Sequence, residues 1–156
     1  MNSKPLLNLV DRKIHEMERY SEITNRMLYE DIDGVGELLA ERQSIITAMD
    51  GISLDIKQYI SEQSMEHQDR LNKLMKFEDI GVLNGELLEL QKKIGHVHEL
   101  REKILKDDAA AYDRFEKMRD ELREKLEQSA KGKQVINYFS GTNTNINKGK
   151  KLNISN

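Results

Sequence analysis

The feature that most constrains this chain is a hydrophobic repeat near its C-terminal end. Leu83, Leu87, Leu90, Ile94, Val97, Arg101, Ile104, Asp108, Ala111, Phe115, Met118 and Leu122 follow one another at steps of four and three without a slip. A sustained 3.5-residue period places one apolar stripe along a long helix and predicts a seam that supercoils against neighbouring helices. No strand pattern produces that spacing, because strand side chains alternate with a period of two.

Earlier segments carry the same kind of signal. Leu7, Val10, Ile14, Met17, Thr24 and Leu28 predict an amphipathic helix over about 4–30, with Pro5 in its first turn. A turn at Asp31-Ile-Asp-Gly-Val-Gly36 follows, with Asp33 read as the cap of the next helix. That helix carries Val35, Leu38, Leu39, Ile45, Ile46 and Met49. Asp50-Gly51 is a stop signal with Ser53 able to cap a restart, but Ile52, Ile56 and Ile60 keep the same face, so one continuous helix stays open. His67, Leu71, Leu74 and Met75 extend the pattern, and Gly81 and Gly85 then punctuate the chain. Gly95 lies beside the last seam and allows a kink there.

The expected fold is therefore all-α: an elongated antiparallel bundle of three to four helices with a coiled-coil-like seam over 1–130. A short amphipathic extension at 131–139 and a disordered basic tail at 140–156 complete the expected organisation. The tail is rich in Asn, Thr, Gly and Lys and holds too little apolar surface to offset its ordering entropy. With 34% charged and 37% hydrophobic residues, the core is expected to be thin. The absence of cysteine fits a reducing compartment and removes thiolate chemistry and Zn–Cys sites. No apolar run approaches the ~18 residues of a membrane span, so a cytoplasmic protein without stable membrane insertion is expected. The net charge of −3 conceals an asymmetry: residues 1–130 carry 20 basic and 28 acidic side chains, whereas 131–156 carry five lysines and no acid. An acidic body argues against nucleic-acid binding, which needs a basic face.

Motifs with chemistry fail on spacing. Asp31-Ile-Asp-Gly34 is not a calcium loop, since its glycine falls two positions early and Arg42 stands where a bidentate Glu is required. Gly34-Val-Gly36 lacks the third glycine of a dinucleotide fingerprint, and Gly132-Lys133 lacks the upstream glycine of a phosphate loop. His96 and His98 are two apart on a helix and diverge too far to chelate one ion. No metal, cofactor or enzymatic activity is expected. Asp108 is the exception that asks for a reason, because a carboxylate on an apolar seam is costly unless paired. It reads either as an ion pair with a basic residue of a neighbouring helix or as a polar anchor in a groove entered by a partner helix. Met17, Met27, Met49 and Met118 sit on apolar faces, where they serve core packing or an adaptable helix-binding surface.

Two segments resemble the flagellar export chaperones of the FliT/FlgN type, the FliT-like side more closely. The stretch from Met27 through Asp31-Ile-Asp-Gly-Val-Gly-Glu-Leu-Leu-Ala-Glu-Arg42-Gln43-Ser-Ile-Ile46 is similar to that family's first turn and second helix. Ile104-Leu-Lys-Asp-Asp108, Phe115, Leu122 and Leu126, ending in Lys131-Gly-Lys-Gln-Val-Ile-Asn-Tyr138, are similar to its final helix and ending. Together these touch about half the chain, and the Asn/Thr-rich extension after Tyr138 departs from the pattern. The resemblance implies a cytoplasmic chaperone of flagellar type III secretion. Such proteins hold the C-terminal helical segment of the filament-cap or hook–filament junction proteins and deliver it to the export gate or ATPase. Asp108, Ala111, Phe115, Met118 and Leu122 are then expected to line the client groove, with Tyr138 and Phe139 meeting the export machinery. A structural coiled-coil or scaffold protein explains the same seam, and the seam serves an intramolecular bundle or a homodimer equally well.

Overall fold

The computed structural model describes residues 2–128. It contains four helices: α1 (Lys4–Met27), α2 (Ile32–Ser61), α3 (Met65–Met75) and α4 (Gly85–Gln128). No strand occurs among the described residues, and the fold is all-α. The chain divides into two units, Met1–Tyr112 and Asp113–Asn156, and α4 supplies residues to both. The segments expected to be an amphipathic extension and a disordered tail, 131–139 and 140–156, lie outside the described residues.

Each helix start has a local cause. Pro5 fits the first turn of α1, where its missing N–H is no loss. Asp31, two residues before the expected cap, begins α2: its carboxylate accepts from the Gly34 N–H at 3.1 Å. Asp33 instead lies in the first turn, where its charge complements the helix dipole. Ser64 caps α3 by accepting from the His67 N–H at 3.4 Å.

Gly51 does not interrupt α2. Its position is exposed with open space around it, while Ile52, Ile56 and Ile60 are buried on one face. The cost of a helical glycine, ~1 kcal/mol, is small beside about 1.5–3 kcal/mol for each buried Ile. Ser53 accordingly lies inside the helix and caps no restart.

The first unit is built on an α1–α2 antiparallel hairpin, tied by Lys13–Ser53 and by the Tyr59 hydroxyl, which donates to the Asn2 carbonyl. The α4 helix runs in the same direction as α1. Glu86 accepts from the Ser3 N–H at 3.0 Å, Lys93 pairs with Asp11, and Asp108 reaches Tyr20 and Thr24. Because α2 ends near Asn2 and α3 ends near His98, α3 runs in the same direction as α4, and residues 76–84 return the chain between them.

That return begins at a left-handed residue. Phe77 has φ +60°, the Phe77 N–H donates to the Leu74 carbonyl at 2.9 Å, and the Glu78 N–H donates to the Lys73 carbonyl at 3.0 Å. This is a Schellman ending with phenylalanine where glycine is usual, at a cost of about 1–2 kcal/mol. The offsetting contact is on α4. The Phe77 ring stacks on His98 with centroids 5.2 Å apart and covers Gly95, where a Cβ would stand 3.3 Å from the ring. Gly95 therefore makes room for an aromatic ring, and α4 continues through it unbroken.

One end of the unit has a continuous apolar core. Leu6, Leu7 and Val10 of α1, Ile52, Ile56 and Ile60 of α2, and Leu71 and Leu74 of α3 meet Leu83, Leu90 and Ile94. The other end, around Tyr20, Met27, Leu38 and Ile45, is packed by α1 and α2 without α3.

Candidate functional site

The expected site residues divide at the unit boundary. Within Met1–Tyr112, Ala111 is buried and Asp108 sits in a polar cluster. Its carboxylate receives the Tyr20 hydroxyl at 2.9 Å, the Thr24 hydroxyl at 3.4 Å and the Arg42 guanidinium at 3.2 Å. Arg42 also donates to the Tyr20 oxygen and to the Met27 sulfur, and its guanidinium carbon lies 4.5 Å from the Tyr20 ring centroid. Thr24 is fully buried and Tyr20 nearly so, whereas the Arg42 and Asp108 side chains retain 17% and 31% exposure. The pair is thus half-desolvated, a situation in which removing one partner costs more than the intact pair contributes.

This geometry gives Asp108 the partner that a seam carboxylate requires. The basic residue is Arg42, from the segment Leu38-Leu-Ala-Glu-Arg-Gln43 that carries part of the family resemblance. Tyr20 and Thr24 were not singled out as polar contacts by periodicity, because both occupy the apolar face of α1. The signal was two hydroxyls one turn apart on that face. Burial pushes the Tyr20 phenol up to about 12; the nearby Arg42 charge opposes this, and the Asp108 carboxylate reinforces it. Tyr20 is therefore a neutral donor across the ordinary pH range, and the cluster ties α4 to α1 and α2.

Within the second unit, the described part of α4 carries Phe115 and Met118, both half-buried, followed by Leu122 at 49% and Leu126 at 40% exposure. None of the residues from Asp113 to Gln128 is buried. The spacing of these four, three and four apart, forms a stripe on one helix face. The other expected contact residues, Tyr138 and Phe139, lie outside the described residues.

No group of His, Asp or Glu among the described residues is arranged to hold a metal ion. No helix there is long and apolar enough to cross a membrane. Comparison of the chain with family models, curated proteins and solved structures gives no match in any of the three.

Proposed function

We propose that this chain is a cytoplasmic chaperone of the flagellar type III export system. It binds the C-terminal amphipathic helix of a late substrate, a filament-cap or hook–filament junction protein, keeps it unassembled and passes it to the export gate or ATPase. The observation that carries this reading is the Phe115–Met118–Leu122–Leu126 stripe on α4, apolar at helical spacing yet without a buried member. Such a stripe suits recognition of one helix by another, read through anchors at i, i+3, i+4 and i+7. The resemblance of 27–46 and 104–138 to flagellar export chaperones supplies the identity of the client. The role needs no cofactor and no catalytic residue.

The test is direct. Full-length protein carrying Phe115→Asp should lose binding to C-terminal peptides of cap and junction proteins while keeping its helical circular dichroism. Unchanged binding removes the stripe from the client site. Truncation after Ser129 should spare client binding and block export, assigning Tyr138 and Phe139 to the export machinery. Loss of both functions would contradict that division. The same stripe also suits a scaffold that only self-associates. Light scattering separates the readings, since a scaffold forms its assembly without a client and a chaperone changes mass only when the client is added.

A further inference from the structure

The α3 helix is only 11 residues, about 16 Å, and it stops beside the first third of α4, where Phe77 turns the chain away over Gly95 and His98. Beyond that point the bundle has no fourth helix. A groove of about 390 Å³ opens there, with Met75 at its α3 end. Its walls include Val10 and Met17 of α1, Ile46 and Met49 of α2, and Ile104 and Leu105 of α4. The volume falls within the ~300–1,000 Å³ range of ligand sites. Three methionines on the walls suit a surface that adapts to its occupant.

The charge on this groove is of one sign. Lys13 and Arg101 line it, and no acidic side chain does. Lys57 adds a third cation close enough to act on Lys13. Among the described residues none of the three has a carboxylate at ion-pair distance. The Lys13 ammonium donates only to the Ser53 hydroxyl, at 3.4 Å. Burial, then Arg101 and Lys57, hold its pKa below the ordinary lysine value. An acidic body thus concentrates unpaired positive charge at an apolar opening.

The position of that charge identifies the occupant. Along α1, Lys13 lies between Val10 and Met17; along α4, Arg101 lies between Val97 and Ile104. The cations are therefore midway along the groove, with apolar wall on both sides. An alkyl chain ending in a carboxylate would place its charge at one end. A helix with a carboxylate in the middle of its apolar stripe matches the pattern, and three turns of it, about 15 Å, span Val10 to Tyr20.

We propose that this groove is a second docking site, which takes an amphipathic helix of a partner protein bearing a central Asp or Glu, in the place where α3 ends. The groove shares no residue with the Phe115–Leu122 stripe, so each assignment can fail without the other.

The experiment titrates full-length protein with a capped four-turn amphipathic peptide, leucine on its stripe and one glutamate at the stripe's centre, followed by fluorescence anisotropy. Control peptides carry glutamine or lysine at that point. The glutamate peptide should bind at least tenfold more tightly than either control, and the difference should shrink as salt is raised. Arg101 is exposed, so Arg101→Glu should keep the fold, abolish the preference and favour the lysine peptide. Phe115→Asp should leave this binding unchanged. Equal affinity for the three peptides overturns the proposal, as does indifference to Arg101→Glu. Tighter binding of laurate, displacing the peptide, would assign the groove to an anionic amphiphile instead. A homodimer that Arg101→Glu dissociates would assign it to a second copy of this chain.

Discussion

The two ends of the Met1–Tyr112 unit use the same helices differently. Where α3 is present, four segments surround Leu74 and Leu90, both fully buried, and the buried cluster between them is apolar, with polar contacts such as Ser3–Glu86 and Lys93–Asp11 around it. Beyond α3, α4 meets the α1–α2 hairpin through Asp108 and Arg42, while Ile104 is only half-buried and Leu105 is 62% exposed. The first end obtains cohesion from area removed from water, which is large but indifferent to direction. The second obtains less cohesion and more direction, because charged hydrogen bonds hold only in one geometry. A single apolar seam read from sequence is thus divided between a packed region and a positioned one.

The largest effect expected from this contrast is in the packed end. Leu74→Ala or Leu90→Ala should lower unfolding free energy by about 2–5 kcal/mol, whereas Ile104→Ala should cost less than half as much in the same denaturant titration. Equal losses would erase the distinction. Next comes the polar cluster. Asp108→Ala should cost about 1–3 kcal/mol by leaving the Tyr20 hydroxyl without its acceptor and Arg42 without its counter-charge. The paired replacement Arg42→Met with Asp108→Leu should cost less than that single change, since both charges leave together. If the double variant is the less stable of the two, the cluster stabilises the fold by more than its directional role.

A smaller effect is expected at the junction between the ends. Gly95→Ala gains up to ~1 kcal/mol of helix propensity but meets the Phe77 ring at 3.3 Å. The gain should appear in full only when Phe77→Gly is also present, so a double-mutant cycle should show coupling of roughly 0.5–1 kcal/mol. Additive values would mean the ring contributes nothing to the α3 ending. The smallest signal is alkaline. The Tyr20 pKa is raised in the fold, so the native state holds this proton over a range where the unfolded chain has released it. Stability from this group is complete below pH 10 and declines as pH rises from 10 to about 12. The tyrosinate absorbance removed by Tyr20→Phe should have its midpoint near 12 in the native protein.

Much of this architecture was legible in the sequence because it rests on periodicity. The four-and-three spacing of α4 and the shared face of Ile52, Ile56 and Ile60 carried the long helices, and the latter outweighed the stop signal at Asp50-Gly51. Local chemistry was less decisive. Asp31 and Asp33 are equally good caps in composition, and only the backbone turn selects Asp31. Phe77 in a left-handed conformation is contrary to local preference and is stabilised by a ring contact with α4, eighteen residues away at Gly95 and farther at His98. Asp108 reads from sequence either as half of an ion pair or as a polar anchor for a partner helix, and its pairing with Arg42 depends on how α2 and α4 are placed in space. Arg101 holds a seam position in the sequence, but Lys13 and Lys57 join it only through tertiary placement. Nothing in the one-dimensional pattern shows that α3 would end early and leave a groove beside them.

The methionines on that groove carry a further consequence. The chain has seven methionines and no cysteine, so the thioether is its only oxidisable sulfur. Met17, Met49 and Met75 all line the same opening. Conversion to sulfoxide would replace flexible apolar surface with polar, chiral groups, changing the groove's preference while leaving its cations in place. Mild peroxide treatment followed by repair with sulfoxide reductase would therefore act on recognition before it acted on the leucine- and isoleucine-filled core.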